Sequence, residues 1–254
     1  MPRFAANLSM MFTEHPFLDR FQAAADAGFE AVEYLFPYEF PADEVAGRLQ
    51  KASLKQALFN MPPGNWNEGE RGLAALLGRR EEFQVSVATA IRYAQAIGSP
   101  LLHMMAGLTD PKDDTAGRVY RDALAYAADL TGEAGIGLVI EPINGRDVPG
   151  YFLNDFDTAL DIVKSVDRPN VGLQFDIYHR QILHGDVVTG LRAMMPYIAH
   201  VQTASVPLRN EPGTGELNDA LIFRELDALG YDGFVGCEYR PRARTEDGLG
   251  WMSA

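Results

Sequence analysis

Long apolar runs are missing from this 254-residue chain, and so is a second cysteine. With Cys237 alone no intramolecular disulfide can form, and a reducing compartment is expected. No run of about 18 apolar residues is there to span a bilayer. The N-terminal stretch MPRFAANLSMMFTEHP has no apolar segment of signal-peptide length. The expectation is a cytoplasmic protein with no membrane partner. Positive charge is scarce as well: 22 Lys and Arg stand against 35 Asp and Glu, for a net charge of −13. A surface of that sign repels phosphate backbones, which argues against nucleic acid as a partner, and it aids solubility.

What the chain does have is alternation. Short apolar runs recur: RFAANL (Arg3–Leu8), FEAVEY (Phe29–Tyr34), LKQALFN (Leu54–Asn60), PLLHMMAG, GLVIE, VGLQFD (Val171–Asp176), IAHVQTA (Ile198–Ala204) and GFVGCE (Gly233–Glu238). Between them lie segments of helical periodicity, such as PFLDRFQAAADAG closed by Gly28, a long helix from Arg79 to Ile97 ending at Gly98, and a helix near Gln181–Met195. The irregular stretch MPPGNWNEGERG follows the third run, and loops of that length are often functional. The tail YRPRARTEDGLGWMSA shows no periodicity. Eight strand–helix units in strict alternation predict an α/β fold, a (β/α)8 TIM barrel formed as a single domain over residues 1–254. The alternative, an open doubly wound sheet, lacks a GxGxxG after its first strand and a Walker A loop.

In such a barrel the active site lies where strands end. The polar residues at those ends are Asn7, Glu33, Asn60, His103, Glu141, Asp176, Gln202 and Glu238. A lone carboxylate there is ordinarily a loop anchor or a salt-bridge partner. Three of them on neighbouring strands would repel one another and be costly to bury. A divalent cation relieves both problems, and Gln202 between Asp176 and Glu238 adds a fourth oxygen. All-oxygen ligation by Glu141, Asp176, Gln202 and Glu238 favours Mg²⁺ or Mn²⁺ and tolerates Co²⁺.

His179, three residues past Asp176, is placed to donate to a substrate oxygen or to support a metal ligand; the alternative is a surface histidine. His103 lines the pocket or packs in the core, and His200, on the same face as Gln202, lies deeper in the barrel. His15 and His184 are expected in solvent. Arg209, in the loop SVPLRNEPGTGE, is suited to clamp a carboxylate or phosphate, or to pair with Glu211 or Glu216. Trp66 is a candidate lid residue, and Trp251 a tail anchor. Arg240, Arg242 and Arg244 read as a solvated tail or as a subunit contact in a homo-oligomer, with a hold on an anionic substrate as the alternative. Asn7, Asn60, His103 and Trp66 complete the candidate substrate contacts.

Taken together, FAANLSMMF, YLFPYEFP, NMPPGNWNEGERG, EPIN, FDIYH, EPGTGE and GCEYRP resemble the hydroxypyruvate isomerase family, a branch of the xylose-isomerase-like barrels that includes the 2-oxo-tetronate isomerases. The resemblance runs from about Arg3 to Trp251. It implies a metal held by Glu141, Asp176, Gln202 and Glu238, with Glu141 and Glu238 as the catalytic pair and His179 and Arg209 against substrate. The implied substrate is a small keto or hydroxy acid, with hydroxypyruvate converted to tartronate semialdehyde through an enediolate. A 2-oxo-tetronate isomerase or a ketose epimerase is the alternative on the same scaffold. An abasic-site endonuclease or a non-catalytic barrel is more remote. The chain departs from the family in Asn210, where many members carry His, and in Ser205, where Asp is common.

Overall fold

Side chains alternate across a strand, and in this chain one set of alternate positions is mainly large and apolar while the other is richer in small and polar residues. That difference sets the inside and outside of the barrel. A computed structural model describes residues 1–253. Its strands are β1 (Arg3–Asn7), β2 (Ala31–Tyr34), β3 (Lys55–Asn60), β4 (Leu101–His103), β5 (Gly137–Ile140), β6 (Val171–Asp176), β7 (Ile198–Thr203) and β8 (Phe234–Cys237). All pair in parallel and in chain order, and β8 closes on β1. The helices are α1 (Arg20–Asp26), α2 (Ala42–Ala52), α3 (Arg80–Ile97), α4 (Asp114–Glu133), α5 (Phe156–Val166), α6 (Ile177–Leu183), α7 (Val187–Met194) and α8 (Asp219–Ala228). Among the described residues, no helix is long and apolar enough to cross a membrane.

Phe4, Val32, Phe59, Leu102, Ile140, Phe175, Val201 and Val235 face outward into the main apolar core beneath the helices. The other set holds Ala5, Ala31, Gly172 and Gly236 low in the strands and Asn7, Glu33, Gln174, Gln202 and Glu238 higher up. Ala5, Ala31 and Ala57 form a small separate cluster there. Residues this small leave room for the polar layer above them.

Local chemistry fixes the helix ends. Asp113, Asp155 and Asn218 cap α4, α5 and α8 by accepting from backbone N–H groups at 2.7, 2.7 and 3.1 Å. Gly98 ends α3 at φ 74, a conformation glycine adopts without strain. The structure corrects the helix expected near Gln181–Met195. Asp176 caps through Tyr178 N at 2.8 Å, so helix begins at once as α6. Gly185 at φ 63 and Asp186 at φ 44 then break it before α7. The aperiodic tail forms a 3₁₀ segment over Thr245–Ser253, and the Trp251 ring meets Phe4 edge-on at 4.9 Å.

Gly236 touches the polar layer directly. A Cβ there would collide with the carboxylate of Glu33, which is fully buried and cannot move aside. Gly236→Ala is therefore expected to destabilise the protein by about 1–3 kcal/mol, read from urea unfolding. Gly47 sits on the exposed face of α2 with nothing near its Cβ position. Gly47→Ala should raise stability by about 0.4–1 kcal/mol in the same measurement.

Candidate active site

The ends of the strands enclose a cavity of about 230 Å³. Every strand-end residue and candidate contact singled out in the sequence lines it except Glu33 and Asp176, which are fully buried. A larger groove of about 410 Å³ runs between α3 and α4, but its lining is mostly apolar and gathers no cluster of acids or histidines.

Glu141 is the first residue past β5, Asp176 the last of β6, and Glu238 the first past β8. All three are buried, so water does little to screen them from one another. Burial, with Glu238 and Asp176 nearby, raises the Glu141 carboxyl well above the usual carboxylate range. Burial pushes Glu238 up to about 8 and Asp176 up to about 6, although Arg209 pulls both down. Arg209 does not stand free at the rim. Its Nη2 lies 2.7 Å from Glu238 Oε2 and 3.1 Å from Asp176 Oδ2, and Nη1 lies 3.4 Å from Asp147 Oδ2. Burial opposes the guanidinium charge, but Glu238, Asp176 and Glu141 more than offset that and hold it protonated. The pairings considered from sequence are taken elsewhere: Glu211 meets Arg242 at 3.2 Å, and Glu216 accepts from Gln181 at 3.1 Å. Arg209 adopts φ 57, a left-handed conformation unusual for a long side chain.

Beneath the acids lies a hydrogen-bonded layer centred on Glu33. Its Oε1 accepts from Asn7 Nδ2 at 2.9 Å and Gln202 Nε2 at 2.7 Å, and its Oε2 meets His200 Nε2 at 2.7 Å. With its nitrogen committed to Glu33, Gln202 turns its oxygen the other way. That oxygen accepts from Gln174 Nε2 at 2.7 Å and keeps a second lone pair. His200 thus lies deep in the barrel, as its shared face with Gln202 predicts.

His179, on the first turn of α6, has a defined tautomer. Its Nδ1 accepts from the Asn144 backbone N–H at 3.3 Å, with Asn144 Nδ2 at 2.6 Å, so Nε2 carries the proton. That N–H faces Asp176 Oδ2 at 3.5 Å and Glu141 Oε1 at 3.8 Å. Burial, helped by Arg209, lowers the His179 pKa well below its usual value, so the ring is a neutral donor into the pocket. His103 is also buried and neutral, lowered to about 3 by burial and by His200. Its Nδ1 meets Asn60 Oδ1 at 3.2 Å, and its Nε2 has no partner. Trp66 lies over the mouth, edge-on to Phe36 at 4.9 Å.

Donor atoms of Glu141, Asp176 and His179 lie within 4.8 Å of one another, close enough to hold a metal ion. The residues fit a dication on two observations. Glu141 Oε1 is buried without a hydrogen-bond partner. Arg209 brings one positive charge to three carboxylates, leaving the cluster short of positive charge. His179 is the weaker candidate as a ligand, because the nitrogen it presents is already protonated.

Sequence reasoning passed over Asn144, Asp147, Gln174 and Arg71, all in or against this cavity. Gln174 had a usable signal, since it lies two residues before Asp176 on the same strand face. Asn144 and Asp147 follow the EPIN turn, and nothing local marks where they point. Arg240 was read as part of a solvated tail, but the structure places it at the pocket edge.

Residues 21–254 match the family described as xylose isomerase-like TIM barrel. The chain is 53% identical to a 2-oxo-tetronate isomerase of Cupriavidus necator, with 99% of this chain and 98% of that protein aligned. It is 42% identical to the hydroxypyruvate isomerase of Escherichia coli, again over 99% and 98%. A crystal structure described as AP endonuclease, family 2, from Brucella melitensis superposes with a TM-score of 0.98 at 50% identity, covering 100% of this chain and 98% of that one. A D-psicose 3-epimerase from Clostridium cellulolyticum shares the fold at a TM-score of 0.77 and 16% identity, over 93% and 84%. Closed barrel, converging acids and full-length relatives agree: the chain belongs to the xylose isomerase-like TIM-barrel family.

Proposed function

We propose that the protein is an isomerase that moves a carbonyl between C2 and C3 of a short 2-oxo-3-hydroxy acid. The single observation that carries this reading is the group of three buried acids around one arginine at the strand ends. Proteins named 2-oxo-tetronate isomerase match at 53, 47 and 44% identity and a hydroxypyruvate isomerase at 42%, which favours the four-carbon acid over hydroxypyruvate. The two substrates differ only in the group on C3, and the chemistry at C2 and C3 is the same.

The reaction needs a proton removed from C3. Its electron pair becomes the C2–C3 double bond of an enediolate, the C2 oxygen takes up negative charge, and a proton then returns to C2. A proton also passes from the C3 hydroxyl to the C2 oxygen. Glu141, with Oε1 free of partners, and Glu238, three strands away around the barrel, are the residues assigned to carry the carbon-bound proton. The His179 N–H and the Arg209 guanidinium donate to oxygens on which charge develops. The Trp66 and Arg209 loops close the mouth against water. A divalent ion such as Mg²⁺ or Mn²⁺, held by Glu141, Asp176, Gln202 and Glu238, would add positive charge where the enediolate oxygens lie.

An abasic-site nuclease needs clustered metal-binding histidines and a basic face. Here one histidine, His179, shares the candidate ligand group with Glu141 and Asp176, and the net charge is −13. No cleavage of an abasic duplex is expected.

Glu141→Gln and Glu238→Gln should each lower kcat by roughly 10²–10⁴-fold while circular dichroism stays native. Proton NMR in D₂O checks the chemistry directly: deuterium should wash into both C2 and C3 with wild-type protein, and each variant should lose exchange at the carbon its glutamate serves. Wild-type exchange at both carbons in either variant would remove that residue from the catalytic pair. Dialysis against EDTA should abolish turnover, and Mn²⁺ or Mg²⁺ should restore it. Full activity after dialysis, with no metal detected by elemental analysis, would defeat the metal assignment.

A further inference from the structure

An acidic substrate entering this pocket meets like charge from Asp147 and Asp176, and from Glu141 and Glu238 when they ionise. The obvious counter-charge, Arg209, is already committed to three of those acids. Two cations in the lining are not, Arg71 and Arg240. Arg71 lies half-buried at the end of the Trp66 loop, its guanidinium stacked 3.7 Å from the Trp66 ring centre. Its Nη1 donates to the carbonyls of Trp66 at 3.1 Å and Glu70 at 2.7 Å, and its other N–H groups have no acceptor among the described residues.

The neighbouring acid does not compete for it. Glu70 is turned away, paired with Arg79 at 2.7 Å and accepting from Asn65 N at 2.5 Å. Nor is the backbone free to carry Arg71 out of position. Gly72 donates to the Pro63 carbonyl at 2.9 Å and bridges to Ala106, and a side chain at Gly72 would strike the Met105 carbonyl. The result is a planar cation fixed on an aromatic face, facing the cavity, with unused donors in a fork suited to a carboxylate. Arg240, the other unpaired cation of the lining, is exposed, and a pairing in solvent is worth little.

We infer that Arg71 binds the carboxylate of the substrate, and that it sets the preference for a 2-oxo acid over the uncharged ketose of the same length. This rests on the acid-isomerase reading above. Arg209 then works at the reacting end, and Arg71 holds the anionic end against the pocket's own negative charge.

The first test compares 2-oxo-tetronate with erythrulose, which carries CH₂OH in place of the carboxylate. Arg71→Gln should raise KM for the acid by roughly 10- to 100-fold with little change in kcat. Its kcat/KM for erythrulose should match wild type, and Arg71→Lys should recover part of the loss. Equal losses on both substrates would mean that Arg71 only props up Trp66, and the inference would fail. The second test does not depend on turnover: calorimetric titration of wild type and Arg71→Gln with D-glycerate. Weaker binding to the variant by the same factor supports the inference, and unchanged binding overturns it. Should glycerate need Arg71 while no keto acid is turned over, the anion site would stand and the isomerase reading would fall.

Discussion

Repulsion among Glu141, Asp176 and Glu238 is the constraint around which the rest of the structure is arranged. Their burial costs free energy unless positive charge is close by, and in a low-dielectric pocket that attraction is far stronger than at a surface. Arg209 meets part of the need. Its Nε also donates to the Glu238 carbonyl at 3.2 Å, and its own carbonyl accepts from Arg240 N at 2.7 Å. The side chain that answers the acids is thus stitched to the exit of β8. A left-handed backbone at a long residue costs energy by itself, and a charged cluster offsets that cost at this position.

The second tier of the site depends on the first. Glu33 holds Asn7, Gln202 and His200 together across the barrel interior, and Gly236 leaves the space it occupies. Such a layer is stable only when its polar atoms are satisfied. Most are, and the exceptions are informative. Glu141 Oε1, His103 Nε2, Gln174 Oε1 and the Tyr34 hydroxyl are left without partners, and all four belong to residues that line the cavity. Unmet hydrogen-bonding capacity is therefore present where a substrate would enter, as it is also at Gln56, Tyr120, Thr203 and Asp219 elsewhere in the barrel.

The barrel was legible in the sequence because each strand is short, apolar and followed by a helical pattern, a signal that is local and repeats. The strand-end acids were legible for the same reason: position along a strand fixes the end of the barrel at which a residue emerges. The roles of loop residues were not. Arg209 reads as a free clamp until the fold brings Asp176 and Glu238 to it across 33 and 29 positions. The Glu33–His200 contact spans 167 positions, and no periodicity signals it. The α6–α7 break went unseen because Gly185 and Asp186 take left-handed conformations within a segment whose apolar spacing continues across them.

The stacking of Arg71 on Trp66 has an optical consequence. Indole emission responds to the polar groups packed against the ring, and the Arg71 guanidinium is stacked 3.7 Å from the Trp66 ring centre. The chain has two tryptophans, and Trp251 is packed among Phe4, Phe223 and Tyr239 away from the cavity. The pocket thus contains its own chromophore, and an anion that settles on the guanidinium stacked against it alters the light the protein emits.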